Sequence, residues 1–470
     1  MLPPFIIAVI DGSYDAHAFA YSIMAGIFIA VMLSFSSRNG LSVSSSMGIR
    51  EGVGITGFSW INASLIGALP YWLSGDASYT DAFFETMSGF TTTGATIFRE
   101  IEVLPRGILL WRSLTHWVGG MGIIVLSLAV LPFLGVSGME MYKAEVPGVT
   151  AEKITPRLHQ TAIRLWGIYA AFTFIEAVLL FLSGMSLFDA FCHSFSTIAT
   201  GGFSTKNNSI AYYSSPYIQW VIIIFMFASG VNFSLYFILL QSAVGLRQKI
   251  RDFIKDEEFR AYAFIAVFSA LAMAVALWAS GMYSGFENTM RRTFFHVVSV
   301  MTTTGFVAED YNLWPEFARF MFIILMFIGA SGGSTGGGCK VSRVLLLGRK
   351  LKAETSRLLH PRAIITSRLN GKPVPQSTLD SCGAFFALYM LFFALGTLIT
   401  TAFGVDVLTA FTGVLTCLSN VGPGLNALGP VENFANLPAI VKWVFSLCML
   451  AGRLELFAVL LLILPGTYRK

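Results

Sequence analysis

The chain has 470 residues, 55% of them hydrophobic and 12% charged, with a formal net charge of +5 and a mean hydropathy of +0.69. This balance excludes an ordinary soluble domain and points to a polytopic membrane protein whose loops are too short to hold a separate soluble domain. The five cysteines are odd in number and scattered through apolar sequence without CxxC spacing, so neither a disulfide framework nor a thiolate metal site is expected.

Residues 2–10 are apolar but fall short of the roughly 20 residues that cross a bilayer, whereas 17–36 are long enough. No basic n-region of a cleavable signal peptide precedes them. The short stretch reads equally as the remainder of a first helix that starts upstream or as a partial, re-entrant helix. One or more extra spans are thus expected over 1–50. Four units follow, over 51–140, 141–250, 251–350 and 351–470, each reading as span, half-helix, loop, span. In the first, the span is 54–75, the half-helix 80–91 and the second span 108–131, stopped near Pro132. The second unit has spans at 161–184 and 217–241 around a half-helix at 188–198. The third has 260–281, 289–301 and 317–347, and the fourth 382–404, 406–418 and 437–464. Asp81 and Asp189 suit the first turns of their half-helices.

Each half-helix ends in a related string: Phe90-Thr91-Thr92-Thr93-Gly94, Ile198-Ala199-Thr200-Gly201-Gly202, Met301-Thr302-Thr303-Thr304-Gly305 and Leu418-Ser419-Asn420-Val421-Gly422. Gly94, Gly201, Gly305 and Gly422 mark the repeat, and Phe84, Phe191, Phe295 and Phe411 lie upstream. Self-similarity at a near-constant period identifies a repeat architecture. Glycine at positive φ lets neighbouring carbonyls turn toward one axis. Four such loops make a ring of oxygens able to replace the water shell of a monovalent cation. One TTG string alone would be an ordinary turn signal. Non-helical backbone at membrane depth is tolerated only where it is buried or lines water, which places the four loops around a central pore.

Basic residues set the orientation. Arg38, Arg50, Lys143, Lys153, Arg157, Arg247, Lys249, Arg251, Lys255, the eight from Arg343 to Lys372, Arg469 and Lys470 fall on one side; Arg99, Arg106 and Lys206 fall on the other. The basic side is expected to be cytoplasmic, the C-terminus with it, and the loop mouths to face outward. Nothing in these charges calls for nucleic acid. The half-helix C-termini, each carrying about half a negative charge, then converge below the loops and favour a cation.

Two interruptions stand out in the last spans. Gly329 to Gly338 is too glycine-rich for a helix, at about 0.8–1 kcal/mol per glycine relative to Ala, and should unwind just below the loops. It reads as a movable gate, or as a close-packing site of small residues; Walker spacing is lacking. Arg453 and Glu455 lie about 200° apart on a helix, so both cannot face the pore squarely, and Arg453 is the choice for the pore, the alternative being a pairing with an acidic residue of another helix. Glu85, Glu176, His116, His193 and His296 show no metal-ligand spacing and read as packing or half-helix hydrogen-bonding residues.

The strings 81–96 (DAFFETMSGFTTTGAT), 193–205 (HSFSTIATGGFST), 332–341 (GGSTGGGCKV), 420–425 (NVGPGL) and 452–455 (GRLE) resemble those of the potassium-translocating subunits of bacterial Trk systems, in the Trk/Ktr/HKT superfamily, over nearly the whole chain from about residue 40. The resemblance implies an inner-membrane K⁺ pore of four pseudo-repeats, with no organic cofactor. It assigns the ion-facing positions to Thr92, Thr93, Gly94, Thr200, Gly201, Thr303, Thr304, Gly305, Asn420, Val421 and Gly422. It assigns the gate to Gly332, Gly333, Ser334, Thr335, Gly336, Gly337 and Gly338, with Arg453 as a barrier. It further implies a homodimer working with a cytosolic nucleotide-binding ring of the TrkA kind. Val421, where other loops have Thr, and the short N-terminus depart from the pattern. The alternative in the same superfamily is a Na⁺-permeable or a H⁺- or Na⁺-coupled symporter; glycine in all four loops favours K⁺. A secondary transporter with inverted repeats and an intramembrane enzyme lack their signatures.

Overall fold

The computed structural model describes residues 1–38, 49–129, 154–240, 245–362 and 366–463. Pro132, Lys143, Lys153, Arg469 and Lys470 lie outside them. The described residues are mostly helical. Helix α1 (Leu2–Asp11) starts on prolines and stops at Gly12 in the left-handed region, the usual asymmetry of helix ends. It packs against α2 (Asp15–Arg38) and α6 (Arg106–Ala129), so the short apolar N-terminus is a docked helix.

The remaining elements follow one order four times. The first unit has α3 (Ile49–Gly67) with α4 (Leu69–Leu73), the half-helix α5 (Tyr79–Phe90), then α6. The second has α7 (Ile154–Leu182), α8 (Leu187–Ile198), and α9 (Pro216–Ser229) with α10 (Phe233–Leu240). After α11 (Leu246–Lys255), the third has α12 (Glu257–Ala279), α13 (Phe286–Met301), and α14 (Glu316–Ile328) with α15 (Val341–Leu359). A hairpin of β1 (Arg368–Leu369) and β2 (Lys372–Pro373) leads to α16 (Gln376–Ala402), α17 (Val407–Ser419), and α18 (Ala439–Arg453) with α19 (Phe457–Ile463). The divisions placed at 250 and 350 fall within α11 and α15.

Among the described residues five helices are long and apolar enough to cross a membrane, and a sixth span results if α9 and α10 count as one. Three half-helices start on side-chain caps, Ser78 accepting from the Asp81 N–H, Ser186 from Asp189 and Asp406 from Thr409, each satisfying an orphan donor of the first turn. Asp81 and Asp189 in turn accept from the cap hydroxyls.

The last spans are more broken than their hydropathy implies. The segment expected as one helix over 217–241 bends by 92° between α9 and α10. The freed backbone at the bend is satisfied by the glycine-rich loop: Ser331 N–H donates to Gly230 O, and Phe233 N–H to Gly333 O. The span expected over 437–464 also breaks, at Leu454-Glu455-Leu456, with Glu455 at φ 59. Arg453 and Glu455 are therefore not two positions of one helix, and the 200° argument does not apply. Each half-helix packs on the outer helix before it, α5 on α3, α8 on α7, α13 on α12 and α17 on α16. Each inner span packs on the next half-helix, α6 on α8, α9 on α13, α14 on α17 and α18 back on α5. That last contact closes a circle, and the half-helix ends lie inside it.

Candidate functional site: the loop ring and the segment beneath it

Each loop has the same backbone device. Thr92, Thr200, Thr303 and Asn420 lie at φ 51, 53, 59 and 56, and the glycine two places on, Gly94, Gly202, Gly305 or Gly422, is also at positive φ. Non-glycine residues rarely adopt this region, and each carries strain of about 1–3 kcal/mol that its surroundings must hold. In the second loop the glycine of this type is Gly202, not Gly201. Gly201 is glycine for a different reason: a Cβ there would collide with the His116 ring, which stacks on Phe203 at 4.0 Å.

The loops meet one another in cyclic order. A Cβ on Gly94 would strike Gly201 O, one on Gly202 would strike Thr304 O, and one on Gly305 would strike Val421 O. A Cβ on Gly422 would lie 2.6 Å from Thr93 O, which returns to the first loop. The middle residue of each loop thus presents its carbonyl to the glycine of its neighbour. This makes the side chain of the middle residue secondary, and Val421 sits in the buried apolar core. Hydroxyls tie the strings to their helices: Thr91 Oγ1 donates to Met87 O at 2.6 Å and Thr302 Oγ1 to Val298 O at 2.7 Å, while Thr93 and Thr304 bond to those hydroxyls at 2.8 Å. Asn420 Nδ2 donates to Thr93 Oγ1 at 3.0 Å and to Met449 O at 2.9 Å, joining the fourth loop to the first and to α18.

One side chain of each half-helix pins the outgoing end of its loop. Glu85 Oε2 accepts from Ile97 N–H at 2.9 Å. His193 donates Nδ1–H to Asp189 O, leaving Nε2 for Ser204 at 3.0 Å. His296 donates to Arg292 O and accepts from Ala308 N–H at 3.3 Å. Thr412 accepts from Leu425 N–H at 3.2 Å. Glu85, His193 and His296 stand at one offset before Gly94, Gly202 and Gly305, which fixes Gly202 as the equivalent position.

Two cations that the sequence reading passed over complete these supports. Arg112, fully buried, pairs with Glu85 at 2.8 Å and donates to Ser204 O at 2.9 Å, clamping the first two loops. Lys442 pairs with Asp81 at 2.5 Å across the contact that closes the circle. The available signal was an isolated Arg or Lys within an apolar span, which is costly without a partner.

Beneath the ring lies the glycine-rich segment 329–340, between α14 and α15. Gly337 N–H donates to Thr303 Oγ1 at 2.7 Å. Thr335 Oγ1 donates to Ile198 O at 3.1 Å, at the end of α8. A Cβ at Gly336 would lie 2.8 Å from Thr302 O, and one at Gly337 would strike Ser419 O. The segment is thus seated on three half-helix C-termini, and only glycine permits that approach. Lys340 Nζ donates to Gly336 O at 2.8 Å. Arg453 donates to Thr335 O at 2.7 Å and to Gly119 O at 3.3 Å. Glu455 pairs with Arg343, while the hydrogen bonds of Arg453 go to backbone carbonyls of the segment and of α6.

An all-α, multi-pass membrane protein with four half-helices converging on one ring of loops is the class of protein these features define. The chain belongs to the TrkH family of cation transport proteins, whose profile matches residues 18–465. It is 39% identical to the Trk system potassium uptake protein TrkH of Salmonella typhimurium, covering 100% of this chain and 96% of that protein. It is 35% identical to TrkG of Escherichia coli, covering 98% and 94%. The crystal structure of the potassium transporter TrkH from Vibrio parahaemolyticus superposes with a TM-score of 0.89 at 37% identity, covering 100% and 96%.

Proposed function

We propose that the protein is a transporter, not an enzyme, that takes up K⁺ across the bacterial cytoplasmic membrane through the four-loop ring. The cyclic contact of each loop's glycine with the next loop's carbonyl carries this reading, because a closed oxygen ring is what dehydrates and holds a monovalent cation. The names of the relatives, potassium uptake proteins, agree with it. The ion meets Thr92, Thr93, Gly94, Thr200, Gly201, Gly202, Thr303, Thr304, Gly305, Asn420, Val421 and Gly422. The segment Gly332–Gly338 and Arg453 form the resting barrier. The loop mouths face outward and the basic loops and C-terminus face the cytoplasm. The protein works as a homodimer with a cytosolic nucleotide-binding ring that adjusts the gate. The test is growth rescue of a K⁺-uptake-deficient bacterium at low K⁺, with Rb⁺ and Na⁺ flux measured alongside. Rescue with Rb⁺ flux well above Na⁺ flux is expected; Na⁺ flux equal to Rb⁺ flux would turn the assignment to a Na⁺-permeable relative.

A further inference from the structure

One carboxylate holds both ends of the glycine-rich segment. Glu258, in the first turn of α12, accepts from the Gly332 N–H at 2.6 Å and from the Ser342 N–H at 3.1 Å, both at Oε1. Gly332 lies near the start of the segment and Ser342 in the first turn of α15. A Cβ on Gly332 would stand 3.0 Å from Ser342 Oγ and 3.5 Å from that oxygen, so the two ends close around the carboxylate. Both bonds end on the same oxygen, so one acceptor is shared by the two points between which the segment must flex.

The same turn of α12 is fastened to the hairpin. Asn370 Oδ1 accepts from Glu257 N–H at 2.8 Å, and Asn370 Nδ2 donates to Asp256 at 2.7 Å. Asp256 is the cap of α12, accepting from Phe259 N–H at 2.8 Å. Asn370 at φ 49 and Gly371 at φ 76 form the two-residue turn between β1 and β2, the geometry that Asn-Gly favours. Leu369, beside that turn, is buried with Leu346 of α15 and with Leu379 and Cys382 of α16. Arg349 of α15 pairs with Glu257. Hydrogen bonds joined by the backbone of residues 256–258 therefore lead from the hairpin, through the start of α12, to Gly332 and Ser342.

We propose that Glu258 is the positioning residue that holds the 329–340 segment against the ring, and that the hairpin acts on it through Asn370. This rests on reading the segment as a gate. A force that displaces the hairpin moves Asn370, turns the first residues of α12, and withdraws the shared acceptor from Gly332 and Ser342. The segment, rich in glycine, then gains more backbone freedom than any other composition would allow.

The experiment uses the full chain in liposomes with no other protein. It measures Rb⁺ uptake and amide exchange over 329–342 for Glu258→Gln, Glu258→Ala, Asn370→Ala and a deletion of 333–337. Loss of both bonds in Glu258→Ala is expected to speed exchange at Gly332 and Ser342 about tenfold and to raise basal Rb⁺ flux. Glu258→Gln, which keeps an acceptor, should do less of both. Asn370→Ala should shift both the same way, and adding it to Glu258→Ala should change nothing further, as members of one series do. If the deletion raises flux while Glu258→Ala, with an unchanged melting temperature, alters neither readout, the proposal is overturned. It is overturned equally if exchange quickens but flux falls. If the deletion itself leaves flux unchanged, the gate reading has failed, and the exchange data alone decide whether Glu258 holds the segment. Should Glu258→Ala fail to fold, Glu258→Gln supplies the same two readouts.

Discussion

Gly94 answers to two constraints at once: φ 84 and the carbonyl of Gly201. A serine there adds about 1–2 kcal/mol of left-handed strain and pushes one oxygen of the ring away. Gly94→Ser is expected to lower the Rb⁺/Na⁺ flux ratio about tenfold, the factor that some 1.4 kcal/mol supplies. Gly202→Ser should match it, since Gly202 faces Thr304 O in the same way; an unchanged ratio in both, with protein recovered intact, would remove these residues from the ion path. Arg453 is a different case. Its guanidinium spans the Thr335 and Gly119 carbonyls, so it pins the segment as well as carrying the charge of the proposed barrier. For a cation at roughly 5 Å with an effective ε near 20 the repulsion would be about 3 kcal/mol, comparable to the roughly 2.3 kcal/mol that a membrane potential of about 100 mV supplies per charge. Arg453→Ala should raise basal Rb⁺ flux on the order of tenfold or more. Arg453→Lys should raise it less, because it keeps the charge and can reach one of the two carbonyls. Equal flux in wild type and Arg453→Ala would leave the arginine only a structural role.

Among the elements, the glycine-rich segment bears the clearest prediction. Removing Gly333 to Gly337 takes away the bond to Thr303, the Thr335 carbonyl that Arg453 holds, and the Gly336 carbonyl that Lys340 holds. Rb⁺ flux without a partner should rise; a well-folded deletion with reduced flux would mean that the segment is packing material for the ring. This segment was legible because ten small residues in an apolar span admit no helix. The half-helices were legible for local reasons too, namely a TTG-type string behind each and Asp81 and Asp189 in the first turns of two. The breaks at 230–232 and 454–456 were not. Gly230 and Asn232 at the first and Arg453 and Glu455 at the second mark both places without dictating a break, and the bonds that make the first of them tolerable come from Ser331 and Gly333, far along the chain. The choice of Gly202 over Gly201 was hidden for the same reason: adjacent glycines look alike until Thr304 O and the His116 ring take their sides. Arg112 and Glu85 gave no pairing signal, because their spacing reflects the path between two helices and not a turn within one.

For the molecule as a whole, the seam between α18 and α5 joins the end of the chain to its beginning. Lys442, almost fully buried, bonds Asp81 at 2.5 Å and Ala435 O at 2.8 Å there, and α19 packs on α3 nearby. Lys442→Met removes one charge and leaves Asp81 with the Ser78 hydroxyl alone among these partners. A loss of about 1–3 kcal/mol is expected, read as a lower thermal midpoint, with selectivity less affected than by Gly94→Ser; an unchanged midpoint would place the strength of the seam in its apolar contacts, Phe83 stacked on Trp443 among them. Because one polypeptide supplies all four walls of the ring, a codon change alters one wall and spares three. In a ring of four identical subunits the same change would be imposed fourfold. The four strings here are thus free to differ one from another, as Asn420-Val421-Gly422 does from Thr303-Thr304-Gly305, and under the proposed role one substitution would retune a quarter of the ring.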